Sequence, residues 1–154
     1  MKEMRGSYQG KGKRIALVVS EFNEVVSKEL LASCVETLKK CNVDDKDISA
    51  FWLPGSFEMP LLSSKLASSR KYDAVICLGA VIRGDTPHFE YIANSASRGI
   101  SQVSLSTGVP VVFGVITAET QEQALERAGL KQGNKGKDAA LSALELIDLI
   151  TKVK

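Results

Sequence analysis

The 154-residue sequence predicts an α/β fold: a small three-layer α/β/α sandwich around a four-stranded parallel sheet. Two observations carry this reading. Short β-branched runs recur four times, and three of them are near-continuous apolar strings, the pattern of strands covered on both faces. Helical patterns follow each of them, and alternating β and α units close into a parallel sheet with helices on both sides.

The elements can be justified in order. RIALVVS (14–20) is the first strand. VVSKELLASCVETLKKC (25–41) follows it, with Val26, Leu30, Leu31, Val35 and Leu38 at helical intervals. ISAFWLP (48–54) is the second strand, and FEMPLLSSKLASSRK (57–71) the helix after it, carrying Leu62 and Leu66. YDAVICLGAVI (72–82) is the third strand. HFEYIANSASRGISQVSLS (88–106) is then amphipathic through Phe89, Ile92, Ala96, Ile100 and Val103. VPVVFGVIT (109–117) is the fourth strand. In TQEQALERAG (120–129), Thr120 and Gln123 stand in capping-box register and Gly129 stops the helix. DAALSALELIDLITKV (138–153) is the last helix, built on Leu141, Leu144, Ile147, Leu149 and Ile150.

Composition narrows the class. No apolar run reaches the roughly 18 residues a membrane span needs, and MKEMRGSYQGKGKR lacks the apolar centre of a secretion signal, so a cytoplasmic protein is expected. Residues 1–14 carry Lys2, Arg5, Lys11, Lys13 and Arg14 against Glu3, while the remainder holds 15 basic and 17 acidic residues. A basic tail on a near-neutral body lacks the clustered basic face that nucleic acid requires. Residues 1–13 are therefore read as a flexible basic arm and 14–154 as one domain. With no proline before Pro54, the arm is free to extend as an added strand on an adjacent subunit. Cys34, Cys41 and Cys77 have no metal-ligand spacing, and one histidine without a CxxC gives no zinc pattern, so neither metal nor disulfide framework is expected.

Chemistry-bearing residues gather where the strands end. In open parallel sheets ligands bind beyond the carboxyl ends of the strands, where helix N-termini present free N–H groups. The four loops there are SEFN (20–23), PGSFE (54–58), RGDTPH (83–88) and TAET (117–120). Thr86 suits an N-cap and Pro87 the first helical position, and Gly84 suits a tight turn. The N–H groups of Gly84, Asp85 and Thr86 can then cradle an anion such as phosphate. His88, the only histidine, would stand in the first turn beside them, suited to proton shuttling. Thr86-Pro87 is equally an ordinary helix start, and spacing alone leaves both readings open. Likewise Pro54-Gly55 is either punctuation or part of a grip in which Ser56 and Glu58 hold a polar ligand under Phe57. Phe22 either packs locally or stacks on a planar ligand. ERAGLKQGNKGKD (126–138) gathers Arg127, Lys131, Lys135 and Lys137 around three glycines. It fails the P-loop template at Asn134 and reads by default as a solvated basic loop, although Arg127 suits bidentate phosphate binding.

Taken together, SEFN, LPGSFEMP, LGAVIRGDTPHFEYIANSASRGI, PVVFGVIT, TQEQALERAG and the GNKG…AALSALE segment resemble the lumazine synthase family over nearly the whole chain. The resemblance implies a flavodoxin-like sandwich and a transferase of riboflavin biosynthesis. It implies condensation of 5-amino-6-(D-ribitylamino)uracil with 3,4-dihydroxy-2-butanone 4-phosphate to 6,7-dimethyl-8-ribityllumazine, releasing phosphate and water. No metal or organic cofactor is implied. The implied partners are the two small-molecule substrates, further copies of the chain (a homopentamer, or twelve pentamers in an icosahedral capsid), and riboflavin synthase, with neither nucleic acid nor membrane.

Carried onto these positions, the resemblance implies that Phe22 stacks on the pyrimidine and that Ser56, Phe57 and Glu58 hold the ribityl chain and ring. Ala80, Val81 and Ile82 would line the pyrimidine pocket, and Asp85 and Thr86 would take the phosphorylated substrate. His88 would transfer protons. Phe113 and Arg127 would come from a neighbouring subunit, with Arg127 on the phosphate and Lys135 as a further contact. Glu21 and Leu130 depart from the family's common residues. A flavodoxin-like module that binds a flavin or lumazine without turnover is the rival reading, and His88 beside an anion site with Arg127 in reach distinguishes the two.

Overall fold

A computed structural model describes residues 1–130 and 133–154; Lys131 of the basic loop lies outside the described residues. Strands β1 (Ile15–Ser20), β2 (Ile48–Leu53), β3 (Ala74–Ile82) and β4 (Val111–Ala118) form one parallel sheet in the order β2-β1-β3-β4. Helices α1 (Glu24–Lys40), α2 (Met59–Ser68), α3 (His88–Thr107), α4 (Gln121–Leu125) and α5 (Lys135–Val153) cover it. The expected four-stranded parallel sheet and flavodoxin-like α/β/α sandwich are what the chain forms.

The two layers of core follow from the period-2 alternation of strand side chains. Ile15, Leu17 and Val19 of β1 and Ile76 and Leu78 of β3 face α1, α4 and α5 through Leu30, Ala124, Ala140 and Leu144. Ala16 and Val18, with Val75 and Cys77, face α2 and α3 through Met59, Ala67, Ala96 and Ile100. Because β1 and β3 are central, both faces of each are buried, which explains their unbroken apolar strings. Burial pushes the thiols of Cys34 and Cys77 up to about 12, so both behave as small apolar core residues. No helix among the described residues is long and apolar enough to cross a membrane.

Several helix boundaries differ from expectation: α2, expected over 57–71, spans only Met59–Ser68 behind a 3₁₀ turn. Helix α3 starts at His88 with Pro87 as its cap, one residue late, while the Thr86 hydroxyl accepts the His88 N–H at 3.4 Å. The single helix expected over 120–129 is the short α4 followed by a π-helical turn over Glu126–Leu130, broken where Gly129 takes φ 116°. At its start Thr120 does cap Gln123 N, at 3.1 Å, but the Gln123 carboxamide oxygen takes the N–H of Glu119 rather than that of Thr120. Helix α5 starts at Lys135, earlier than expected, because the Asn134 side chain accepts from Gly136 N at 2.8 Å and Lys137 N at 3.3 Å.

The N-terminal segment runs over α5 and the end of α1. Ser7 N donates to Asp148 Oδ2 at 2.8 Å, Lys152 Nζ donates to the Arg5 carbonyl at 2.8 Å, and Gly10 N donates to the Cys41 carbonyl at 2.7 Å. Gly6 lies so close to the Glu145 carbonyl that a β-carbon would not fit.

Candidate active site

The connection from β1 leads outward to β2 on one side, whereas β3 and β4 lie on the other, so the sheet order reverses between β1 and β3. At such a switch point the loops diverge and leave a crevice beyond the strand ends. A cavity of about 600 Å³ opens there. Its walls come from the segments after β1 (Phe22, Asn23), after β2 (Pro54–Glu58) and at the end of β3 (Ala80–Ile82), then Gly84, Thr86 and the first turns of α3 (His88, Phe89, Ile92).

Strand β3 continues to Ile82, past Leu78, where its register with β1 ends against Val19. Beyond that point its β1 flank faces the cavity instead of a strand. Asn23 occupies part of the gap: in the left-handed conformation (φ 60°, ψ 45°), it donates Nδ2–H to the Ala80 carbonyl at 3.0 Å. Asparagine is among the few side chains that tolerate this backbone. Residues two apart on a strand share a flank, so Ile82 turns its peptide groups to the same side as Ala80. Ala80 and Ile82 thus present one backbone edge on the side that lines the cavity.

The Phe22 loop is tied down from three directions. Glu21 N donates to the Leu53 carbonyl at 2.8 Å, Phe22 N to the Pro54 carbonyl at 3.0 Å, and Ser20 Oγ to the Phe22 carbonyl at 3.0 Å. The backbone is thereby fixed, while Phe22 as a residue is 72% exposed and Phe57 57%. Two exposed rings on one cavity suit the face of a planar ligand.

The next wall is Ser56, in a 3₁₀ turn (Ser56–Glu58) that leads directly into α2. Its hydroxyl is buried and has no hydrogen-bond partner among the described residues. Gly79 makes room here: a β-carbon at that position would fall 2.9 Å from Ser20 Cβ and 3.1 Å from Met59 Cε. A buried hydroxyl without a partner is uncommon, and Ser56 is among the residues that line the cavity. Glu58 is exposed on the same turn and forms no ion pair among the described residues.

On the α3 side, the N–H groups of Gly84, Asp85 and Thr86 make no hydrogen bond among the described residues. They belong to the segment just before the Pro87 cap of a 20-residue helix, on the side of its positive end, which favours an anion nearby. Gly84 does not take a positive φ, and a β-carbon there would meet nothing within 4 Å, so the tight turn expected of it is not what the chain uses. The exposed His88 lines the cavity, and its imidazole makes no hydrogen bond or ion pair among the described residues. Asp85 is exposed beside the cavity without lining it.

The remaining predicted residues lie elsewhere. Phe113, Arg127 and Lys135 line a second cavity of about 360 Å³, with Thr117, Asn134 and Asp138, at the open edge formed by β4. Arg127 Nη1 donates to the Thr117 carbonyl at 2.7 Å, which leaves most of the guanidinium's donors for another acceptor. No residue belongs to both cavities.

Sequence reasoning missed Asn23 and Asp138. It also read Phe89 and Ile92 only as part of an apolar helix face, although both touch the first cavity. For Asn23 the available signal was its place beside Phe22 at a strand end; the cross-loop bond to Ala80 has no sequence signature.

Residues 12–151 match the sequence model of the family described as 6,7-dimethyl-8-ribityllumazine synthase. That match spans nearly all of the sheet, its helices and both cavities, and the chain belongs to the 6,7-dimethyl-8-ribityllumazine synthase family.

Proposed function

We propose that the chain condenses 5-amino-6-(D-ribitylamino)uracil with 3,4-dihydroxy-2-butanone 4-phosphate, giving 6,7-dimethyl-8-ribityllumazine, phosphate and water. The observation that carries this is one cavity lined by the unengaged imidazole of His88, the exposed ring of Phe22, and Gly84 and Thr86 of the segment that leads into α3. The family supports the reaction class.

The uracil lies under Phe22 against the Ala80–Ile82 edge, and Ser56 and Glu58 hold ribityl hydroxyls. Phosphate sits on the amides of Gly84, Asp85 and Thr86. The 5-amino nitrogen attacks the ketone carbon, and loss of water gives an imine. Removal of the proton at the hydroxyl-bearing carbon then expels phosphate from its neighbour and leaves an enol. Tautomerisation gives a carbonyl and a methyl group. The ribityl-bearing nitrogen closes on that carbonyl, and loss of a second water completes the ring. Each step moves a proton, and His88 is the side chain placed to carry it. Positioning supplies much of the remainder, since both reactants are held in one crevice.

Arg127 completes the phosphate site from a second copy of the chain. Within one chain it belongs to the cavity at the β4 edge, with Phe113 and Lys135. Docking that edge over the His88 cavity of a neighbour unites the two sets in a cyclic homo-oligomer.

Incubation of the purified protein with both substrates tests the reading. Lumazine absorbance and equimolar phosphate above the uncatalysed rate are expected. Ligand binding with no phosphate release would assign the cavity to a lumazine- or flavin-holding module instead.

A further inference from the structure

Arg83 is the residue between β3 and the Gly84–Pro87 segment, and it lines neither cavity. Its N–H donates to the Ala118 carbonyl at 2.9 Å. Its Nε lies 2.9 Å from Glu119 Oε2, its Nη2 3.6 Å from Glu90 Oε1, and its Cζ 5.0 Å from the centre of the Phe89 ring. One guanidinium therefore grips the first turn of α3, immediately after His88, and the turn between β4 and α4. Glu119 is itself held, because its N–H donates to Gln123 Oε1 at 2.9 Å.

The loop that follows has few restraints of its own. A β-carbon at Gly84 would meet nothing within 4 Å, Asp85 is exposed, and the Thr86 hydroxyl reaches His88 N only at 3.4 Å. The Arg83 strap is the main polar connection between this segment and the rest of the sheet edge.

We propose that Arg83 is a positioning residue: bridged to Glu119 and Glu90, it sets the amides of residues 84–86 relative to the His88 imidazole. This rests on the phosphate-binding reading of that loop. The cation lines neither cavity and lies between two carboxylates, so it acts through geometry and not as a phosphate ligand. Lysine does not reproduce this arrangement, because its compact ammonium lacks the planar fork that reaches both carboxylates while lying over the ring. Exposed ion pairs add little to folding stability, so the effect belongs in kinetics and in anion binding.

Three variants test this: Arg83→Met, Arg83→Lys and Glu119→Gln, with the Arg83→Met/Glu119→Gln double. Arg83→Met is expected to lower kcat and raise KM for the phosphorylated ketone, together about ten- to a hundredfold in kcat/KM. Arg83→Lys should not rescue it. Glu119→Gln should shift both parameters in the same direction, and the double variant should be no worse than Arg83→Met alone, as coupled residues are. Thermal midpoints should stay unchanged. Titration with inorganic phosphate reads the loop without turnover, and weaker binding in Arg83→Met is expected. Additive effects, wild-type kinetics in Arg83→Met, or a KM-only effect with Glu119→Gln silent would each overturn the proposal. A wild-type chain that binds phosphate but turns nothing over would sink the proposed reaction and leave the strap to be judged by phosphate binding alone.

Discussion

The Arg127 guanidinium donates to the Thr117 carbonyl at 2.7 Å, which anchors the side chain at the end of the edge strand and in a cavity that His88 does not share. Every residue proposed for phosphate chemistry is present in the chain, yet the chain folds them into two places. On the proposed reaction, a single copy then holds two half-sites.

His88 is the proton carrier of the proposed reaction. Its imidazole is exposed and makes no hydrogen bond or ion pair among the described residues, so its removal should cost little stability. His88→Ala is expected to slow lumazine formation by about ten- to a thousandfold, the lower part of the usual range for acid–base catalysis, because positioning survives. Steady-state rates and a sedimentation profile check it together. An unchanged rate would take His88 out of the mechanism.

Ser56 offers a test in which stability and function move apart. Its buried hydroxyl has no partner among the described residues, and removing an unsatisfied buried group relieves a desolvation cost of about 1–3 kcal/mol. Ser56→Ala should thus leave the thermal midpoint of the unliganded protein unchanged or raised. It should nevertheless weaken binding of the ribitylaminouracil, measured by titration. A lower midpoint would mean that the hydroxyl already serves the fold.

Asp148 links the N-terminal segment to pH. Lys152 beside it, and then the Ser7 amide, hold its carboxyl below the ordinary carboxylate range. A depressed folded-state value means that the contact contributes fully above the ordinary carboxylate range and is lost as pH falls through the lowered value. The protection factor of the Ser7 amide, taken against the unprotected exchange rate at each pH, should be raised at neutral pH and fall in acid as the carboxyl is protonated. At neutral pH, Asp148→Asn should make the segment more open to trypsin after Arg5. Equal cleavage of variant and parent would show that Asp148 does not hold it.

Much of the fold was legible because β1 and β3 are buried on both faces and advertise it as unbroken apolar runs. Helix ends were less legible. The basic loop hid the start of α5, since Asn134 reads as loop punctuation until its side chain is seen capping Gly136 and Lys137. Gly136 there packs against the Leu30 carbonyl of α1, a tertiary contact that local sequence does not announce. In the site, Phe22, Ser56 and His88 could be placed from strand ends alone. Their separation from Phe113 and Arg127 was expected only through the family resemblance, because it depends on which cavity each residue lines in the folded chain. Arg83 was passed over for a related reason: its partners Glu90 and Glu119 lie on different segments and meet only in the folded chain.

The division of the site between copies is tested most directly by mixing two defective chains. His88→Ala and Arg127→Ala subunits, co-expressed with different tags and purified as mixed assemblies, are each expected to be poorly active alone. If each site takes His88 from one copy and Arg127 from another, random mixing restores both residues in about a quarter of the sites, and phosphate release should rise to about that fraction of the parent rate. Activity that stays at the average of the two defective parents would contradict a site shared between copies.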